Sequence, residues 1–205
     1  MRTLFIDTSN SFVSIAILFD GKVISKITKE SFNEHSKYAI IYVDEVLKNS
    51  NITPNELDEI VVVNGPGSFT GIRIGVTIAK IFAYLKKIPV ITVSSLETLT
   101  LSTDNDKKIL SLIDAKNNNY YISLYNERYE EIIKPHFSNI EEINSIISKY
   151  NDIKIVSNSN IFINNIEVIN SLNIEKIYSY CKNKDKINAH MVLPNYLKLP
   201  QALEK

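Results

Sequence analysis

The chain has 205 residues, equal numbers of basic and acidic side chains (23 Lys+Arg, 23 Asp+Glu), and hence a formal net charge of zero with a pI near 6.8. Without a basic block it is not a protein that holds nucleic acid mainly by its own phosphate contacts, so any role near RNA needs a partner. A single cysteine, Cys181, excludes an internal disulfide or a metal site built from thiolates alone, and no run approaches the roughly 18 uncharged apolar residues of a membrane span.

The length suits one large domain or two small ones. No apolar leader follows MRTLFID, so a soluble cytoplasmic protein is the expectation. Residues 3–6, 12–19 and 22–28 read as three successive antiparallel strands, with Asp20-Gly21 as a hairpin signal between the second and third. NEHSKYAIIYVDEVL changes to helical period, giving a helix over 34–48. In TPNELDE, Thr53, Pro54 and Glu56 have the spacing of a capped turn, and residues 60–63 are a buried strand. A glycine-rich loop, a helix over 70–86, a strand in IPVITVS and a short helix near 96–101 follow. The pattern then restarts: strands at 109–113, 120–125 and 129–133, a helix over 138–150, and a strand at 154–156. In the tail, 174–179 reads as a short strand, 186–192 as a short helix, and LPNYLKLP as extended between Pro194 and Pro200. LFIDTSN and SLIDAKN each close a strand on aspartate and lead into further strands and a helix. This predicts an α/β fold of two related lobes, 1–104 and 105–205; a single sheet in which two strands happen to end in Asp is the alternative.

The stretch NGPGSFTGIRIGVTIAK, residues 64–80, raises the functional question. It lacks the Gly-Lys-Ser/Thr ending of a phosphate-binding P-loop, and Thr70 occupies the third glycine position of the dinucleotide fingerprint. Gly65, Gly67 and Ser68 at a helix start leave two readings, an anion site or a turn capped by Ser68 or Thr70. Along the helix, Gly71, Gly75, Ala79 and Ala83 recur every fourth residue, a stripe nearly free of side chain. Glycine costs about 1 kcal/mol relative to alanine inside an exposed helix, so the stripe implies close approach of something, either this chain's own sheet or a partner protein. Ile74, Ile78, Phe82 and Leu85 fall on the adjoining face, expected to bury against the sheet. Tyr38 and Tyr42 on the first helix suit an interface or the edge of the chain's own core, and Arg73 suits a partner carboxylate or a local ion pair.

Asp7, followed by Ser9, and Asp114, its counterpart in the repeat, are either turn caps or the paired carboxylates of a nucleotide–Mg cleft. DAKNNNYY after Asp114 has no glycine to let a phosphate approach the backbone. His35 has Ala39 where a metal-binding partner histidine at i+4 would stand, and His136 and His190 are isolated, so no metal site is expected.

LFIDTSNSFVSIAI, NEHSKYAIIYVDEVL, NGPGSFTGIRIGVTIAK, PVITVSSLETL and SLIDAKNNNYYISLY, in this order through the first 125 residues, resemble the TsaB family of bacterial tRNA threonylcarbamoyladenosine biosynthesis. The resemblance implies a two-lobed fold of the actin/sugar-kinase/Hsp70 (ribonuclease H-like) type with mixed sheets flanked by helices, the second lobe trimmed after Asn158. It implies a non-catalytic subunit without cofactor, which pairs with the kinase-like catalytic subunit TsaD and is joined by the P-loop ATPase TsaE. The complex carries threonylcarbamoyl to N6 of adenosine 37 in tRNAs reading codons that begin with A, and tRNA is met only through the complex. Carried over, helices 34–48 and 70–86 form the interface, with Tyr38, Tyr42, Gly71, Arg73, Gly75, Ala79, Phe82 and Ala83, and the same surface makes a homodimer when the partner is absent. Asp7, Ser9, Asp114, Gly65, Gly67 and Ser68 would be a vestigial nucleotide or anion site. The competing expectation is a small ATP/Mg-dependent enzyme using Asp7 and Asp114.

Overall fold

The structure, a computed structural model, describes residues 1–31, 34–150, 152–161 and 163–198. Asn33 of the first helical stretch and Pro200 of the closing segment lie outside the described residues. In chain order the elements are β1 (Arg2–Asp7), β2 (Phe12–Phe19), β3 (Lys22–Glu30), α1 (His35–Asn49), β4 (Glu59–Val63), α2 (Phe69–Lys86), β5 (Val90–Val93), α3 (Ser95–Thr100), β6 (Lys108–Asp114), β7 (Asn119–Tyr125), β8 (Glu131–Asn139), α4 (Ile140–Lys149), β9 (Ile153–Ser157), β10 (Ile166–Val168) and α5 (Ile174–Cys181), with 3-10 turns at Pro54–Glu56 and Ala189–Met191.

The described residues gather into two compact units, Met1–Ser94 with Ile174–Asn195, and Ser95–Asn173 with residues 196–198. The expected division after residue 104 is displaced in two places. Leu96 and Leu99 of α3 pack with Ile109, Ile113 and Val156 of the second unit. The stretch containing α5 returns to the first unit, where the Ile187 and Val90 backbones exchange two 2.9 Å hydrogen bonds and the buried carboxylate of Glu59 takes Tyr178 Oη at 2.8 Å and Lys186 Nζ at 2.6 Å.

Each unit is built on a five-stranded mixed sheet. The first has the order β3-β2-β1-β4-β5, the second β10-β9-β6-β7-β8. In both, a three-stranded antiparallel meander is extended by two parallel strands, β4 and β5 on β1, β9 and β10 on β6. The duplication inferred from LFID and SLID is therefore a duplication of topology, and Asp7 and Asp114 are the last residues of equivalent strands. β4, EIVVV, is buried throughout, as a strand covered on both faces must be. Asp20 and Gly21 both take positive φ, 47° and 81°, the backbone of a type I′ hairpin turn. The Glu56 carboxylate accepts the Thr53 N–H at 2.9 Å, closing the capped turn read from TPNE.

The two units differ at one connection. In the first, the 18 residues of α2 join β4 to β5; in the second, residues 158–165 join β9 to β10 with no helix among the described ones. This is the trimming expected after Asn158. The tail departs from expectation too. Residues 174–179 begin a helix rather than a strand, because Ile174, Ile177, Tyr178 and Cys181 recur at i, i+3, i+4 and i+7 and are all buried. The helix expected over 186–192 is confined to the turn Ala189–Met191 because Ile187 is bridged to β5. β8 starts and ends later than read, and β10 is an additional strand.

Candidate functional site

The loop between β4 and α2 closes on the end of β1 through its glycines. A Cβ on Gly67 would collide with the Ser9 carbonyl oxygen, and one on Gly71 with the Thr8 carbonyl oxygen. A Cβ on Gly75 would stand 2.5 Å from Thr8 Oγ1, and one on Gly65 2.7 Å from the Asn195 carbonyl oxygen. Gly65 and Gly67 also hold φ of 115° and 152°, which side-chain-bearing residues rarely adopt, and the Gly65–Pro66 peptide is cis. Hydrogen bonds seal the contact: Ser68 N–H to the Ser9 carbonyl at 2.7 Å, and Thr8 Oγ1 to the Gly71 carbonyl at 2.7 Å. Ser68 Oγ accepts the Gly71 N–H at 3.2 Å and caps α2. The missing side chains thus make room for the chain's own backbone, and of the two readings of the loop the geometry matches the capped turn.

Asp7 is 1% exposed and its carboxylate accepts Ser9 N–H at 2.8 Å, Ser9 Oγ at 2.7 Å and Asn10 Nδ2 at 3.4 Å. Burial pushes its pKa above the ordinary carboxylate value, opposed by the two Ser9 donors and the charge of His35. Asp114 accepts Lys116 N–H at 2.8 Å and Lys116 Nζ at 3.1 Å in the β6–β7 turn. Each aspartate therefore caps its own turn, the same role at equivalent ends of the repeat.

α1 and α2 lie side by side on one face of the first sheet, and the Ala189–Met191 turn packs along the other flank of α2. The expected interface residues divide on this layer. Ala79 and Ala83 are buried in the core, Gly71 and Gly75 lie against Thr8, and Tyr42 is 8% exposed within the core. For these five the expectation of a partner contact is corrected: the stripe is used up by the chain's own sheet, and Tyr42 closes its own core edge. Tyr38 and Phe82 are half-buried against the same core, Tyr38 stacked on Tyr42 with centroids 5.7 Å apart. Arg73 is exposed, its guanidinium 3.8 Å above the Phe69 ring.

The outer surface of the layer carries other residues. Ile40 and Ile41 of α1 are each 47% exposed, and Ile81, Tyr84 and Leu85 of α2 are 51%, 63% and 66% exposed. Leu85 was expected to face the sheet with Ile74, Ile78 and Phe82; Ile78 is buried, Ile74 and Phe82 are half-buried against the core, and Leu85 instead faces outward. Met191, the last residue of the flanking turn, and Leu193 beyond it are also exposed. Five of the twelve exposed large apolar side chains among the described residues thus belong to α1 and α2, and two more to the flanking turn and the residues just after it. Spacing contained the signal: if the glycine stripe must face the sheet, positions 73, 77, 81 and 84 must face outward, and all four are exposed.

Comparison with known proteins fits this architecture. A family model described as TsaD, tRNA N6-adenosine threonylcarbamoyltransferase, matches residues 22–201. The tRNA threonylcarbamoyladenosine biosynthesis protein TsaB of Bacillus subtilis (strain 168) is 41% identical over 126 residues, 61% of this chain and 55% of that protein. TsaB of Haemophilus influenzae is 28% identical over 203 residues, 96% of this chain and 82% of its own length. The chain belongs to the TsaB family. Its fold is that of YeaZ from Pseudomonas aeruginosa, a solved structure that superposes with a TM-score of 0.79 over 96% of this chain and 99% of that one, at 18% identity. The aligned part of this TsaB-family chain spans just over half the length of the Bacillus relative.

In this TsaB-family chain, His35 Nε2 lies 2.7 Å from the Asn10 carbonyl, tying α1 to the turn that carries Asp7, and Ala39, one helical turn on, is fully buried in the core. Among the described residues no three of His, Cys, Asp or Glu cluster as metal ligands would, and no helix is long and apolar enough to cross a membrane.

Proposed function

We propose that this chain is the non-catalytic partner subunit of the assembly that places threonylcarbamoyl on N6 of adenosine 37 in tRNAs reading A-starting codons. It docks the kinase-like catalytic subunit TsaD on the outer face of α1 and α2, with TsaE joining the pair and tRNA met through the complex. In the absence of the partner the same face pairs two copies of the chain. The names of the TsaB relatives support the pathway. The observation that carries the docking role is the run of exposed apolar side chains, Ile40, Ile41, Ile81, Tyr84 and Leu85, on two helices packed side by side. Aromatic and aliphatic groups of this kind form the desolvated centre of protein interfaces. The expected site list shifts accordingly, from the glycine–alanine stripe to the residues opposite it.

Light scattering after size exclusion, on the chain alone and mixed with TsaD from the same organism, tests the proposal. A homodimer should convert into a 1:1 heterodimer. Ile81→Asp, at a half-exposed position, should leave folding within about 0.5 kcal/mol of the parent and abolish both pairings. A variant that still pairs normally overturns the docking face.

A further inference from the structure

Next to the α1–α2 face, at the C-terminal end of α2, lies a groove of about 730 Å³. Its walls are the last turn of α2 and the 3-10 turn Ala189–Met191; its floor is Ile88, Pro89 and Ile187. The walls are fixed. Tyr84 meets His190 edge to face at 5.5 Å between centroids, and Asn188 Oδ1 accepts the His190 and Met191 N–H groups at 3.0 and 3.3 Å. Behind the far wall, Lys186 is anchored on the buried Glu59 carboxylate, which also accepts Thr3 Oγ1 at 3.0 Å.

Charge distinguishes this groove from a generic apolar cleft. Lys87, Lys186 and His190 line it, and none of its lining residues is acidic. Lys186 is partly neutralised by Glu59, whereas Lys87 is exposed in the left-handed residue that ends α2. The Ala83 carbonyl at the end of α2 accepts both the Lys87 and Ile88 N–H groups. An apolar floor with a cationic rim and no carboxylate complements an acidic, apolar segment. Tyr84 and Leu85 belong both to the groove and to the outer face of α2, so a protein seated on that face reaches the groove directly.

We infer that the groove takes an acidic, apolar segment of the same protein that docks on α1 and α2, adding a charge-dependent contact beside the apolar one. This rests on the docking role proposed above. The test measures affinity for TsaD by titration calorimetry at low and high salt, for the parent, Lys87→Glu, Lys87→Arg and Ile81→Asp, with thermal melts to establish that each is folded. The expected result is that Lys87→Glu binds about tenfold more weakly, roughly 1.4 kcal/mol, with a flattened salt dependence, while Lys87→Arg binds like the parent. If Lys87→Glu binds and responds to salt as the parent does while Ile81→Asp abolishes pairing, the groove contact is overturned and the docking face stands. If Ile81→Asp pairs normally while Lys87→Glu is impaired, the docking face fails, and the groove contact fails as an adjunct to it and would belong to a different interface; if neither variant is impaired, both fail.

Discussion

Replacing Gly75 with alanine tests whether the helix stripe belongs to the fold or to an interface. In an exposed helix the change would be favourable by about 1 kcal/mol. Here the new Cβ would sit 2.5 Å from Thr8 Oγ1 and 3.4 Å from Ile6 Cγ2, inside contact distance of a buried strand end. Overpacking of this kind costs about 1–3 kcal/mol. Moving Thr8 aside also strains its 2.7 Å hydrogen bond to the Gly71 carbonyl, worth about 1 kcal/mol net. The balance is a loss of about 1–3 kcal/mol, and a chain of this size loses about 2–4 °C of melting temperature per kcal/mol. Gly71→Ala should cost more, since its new Cβ faces a backbone carbonyl that cannot rotate away. Thermal and urea unfolding followed by circular dichroism supply the measurement. Thr8→Ala supplies the control: in that background Gly75→Ala should recover much of its loss, a coupling readable as a double-mutant cycle. A Gly75→Ala protein that melts above the parent, as bare helix propensity predicts, and pairs poorly would refute the reasoning and return the stripe to the interface.

Two further outcomes follow from buried carboxylates. Because burial raises the Asp7 pKa in the folded state, the stability this group contributes is complete below its unfolded value near 3.8 and is lost as pH rises through the raised folded value. Asp7→Asn keeps an acceptor for Ser9 but cannot ionise, so its stability relative to the parent should rise from acid to neutral pH in a series of urea midpoints; a pH-independent gap would contradict this. Glu59→Ala strands Tyr178 and Lys186, and should cost about 3 kcal/mol, the low end for a broken buried pair because Lys186 is 38% exposed on its other side. The same variant should expose the 174–195 stretch to limited proteolysis before the rest of its unit, and uniform resistance would show that Glu59 does not anchor it.

Much of the fold was legible because the relevant physics is local. Residues 60–63 could be little else than a strand covered on both faces, Asp20-Gly21 specified its turn, and TPNE its cap. The two aspartate-ended strands disclosed the duplication before any topology was known. α5 was misread because four consecutive segments before it contain isoleucine in short runs, and an Ile–Tyr run reads as strand until Cys181 is counted as its fourth buried position. At the candidate site the sequence picked out the glycine–alanine stripe of α2, and the structure turns that stripe toward the chain's own sheet. Periodicity gives angles between side chains, not the direction of the helix relative to its sheet. That direction is set by Thr8 and Ser9, about 60 residues away in sequence, whose carbonyls demand the glycines. Tyr42 was misplaced for the same reason: the core that it joins is built with β2 and α2, elements outside its own helix.

The helix that joins β4 to β5 has no counterpart among the described residues between β9 and β10, and this bears on how many docking faces the proposed subunit would offer. The second unit repeats the sheet of the first but covers it differently: α4 turns Glu141, Glu142, Asn144, Ser145, Ser148 and Lys149 to solvent, where α1 turns out Ile40 and Ile41. Had both halves of the duplication kept a greasy helical layer, each chain would offer two adhesive faces, and chains with two such faces can grow into open filaments. With one face polar, docking through the other, as proposed above, would fill that face with a single second member, whether another copy or a different protein.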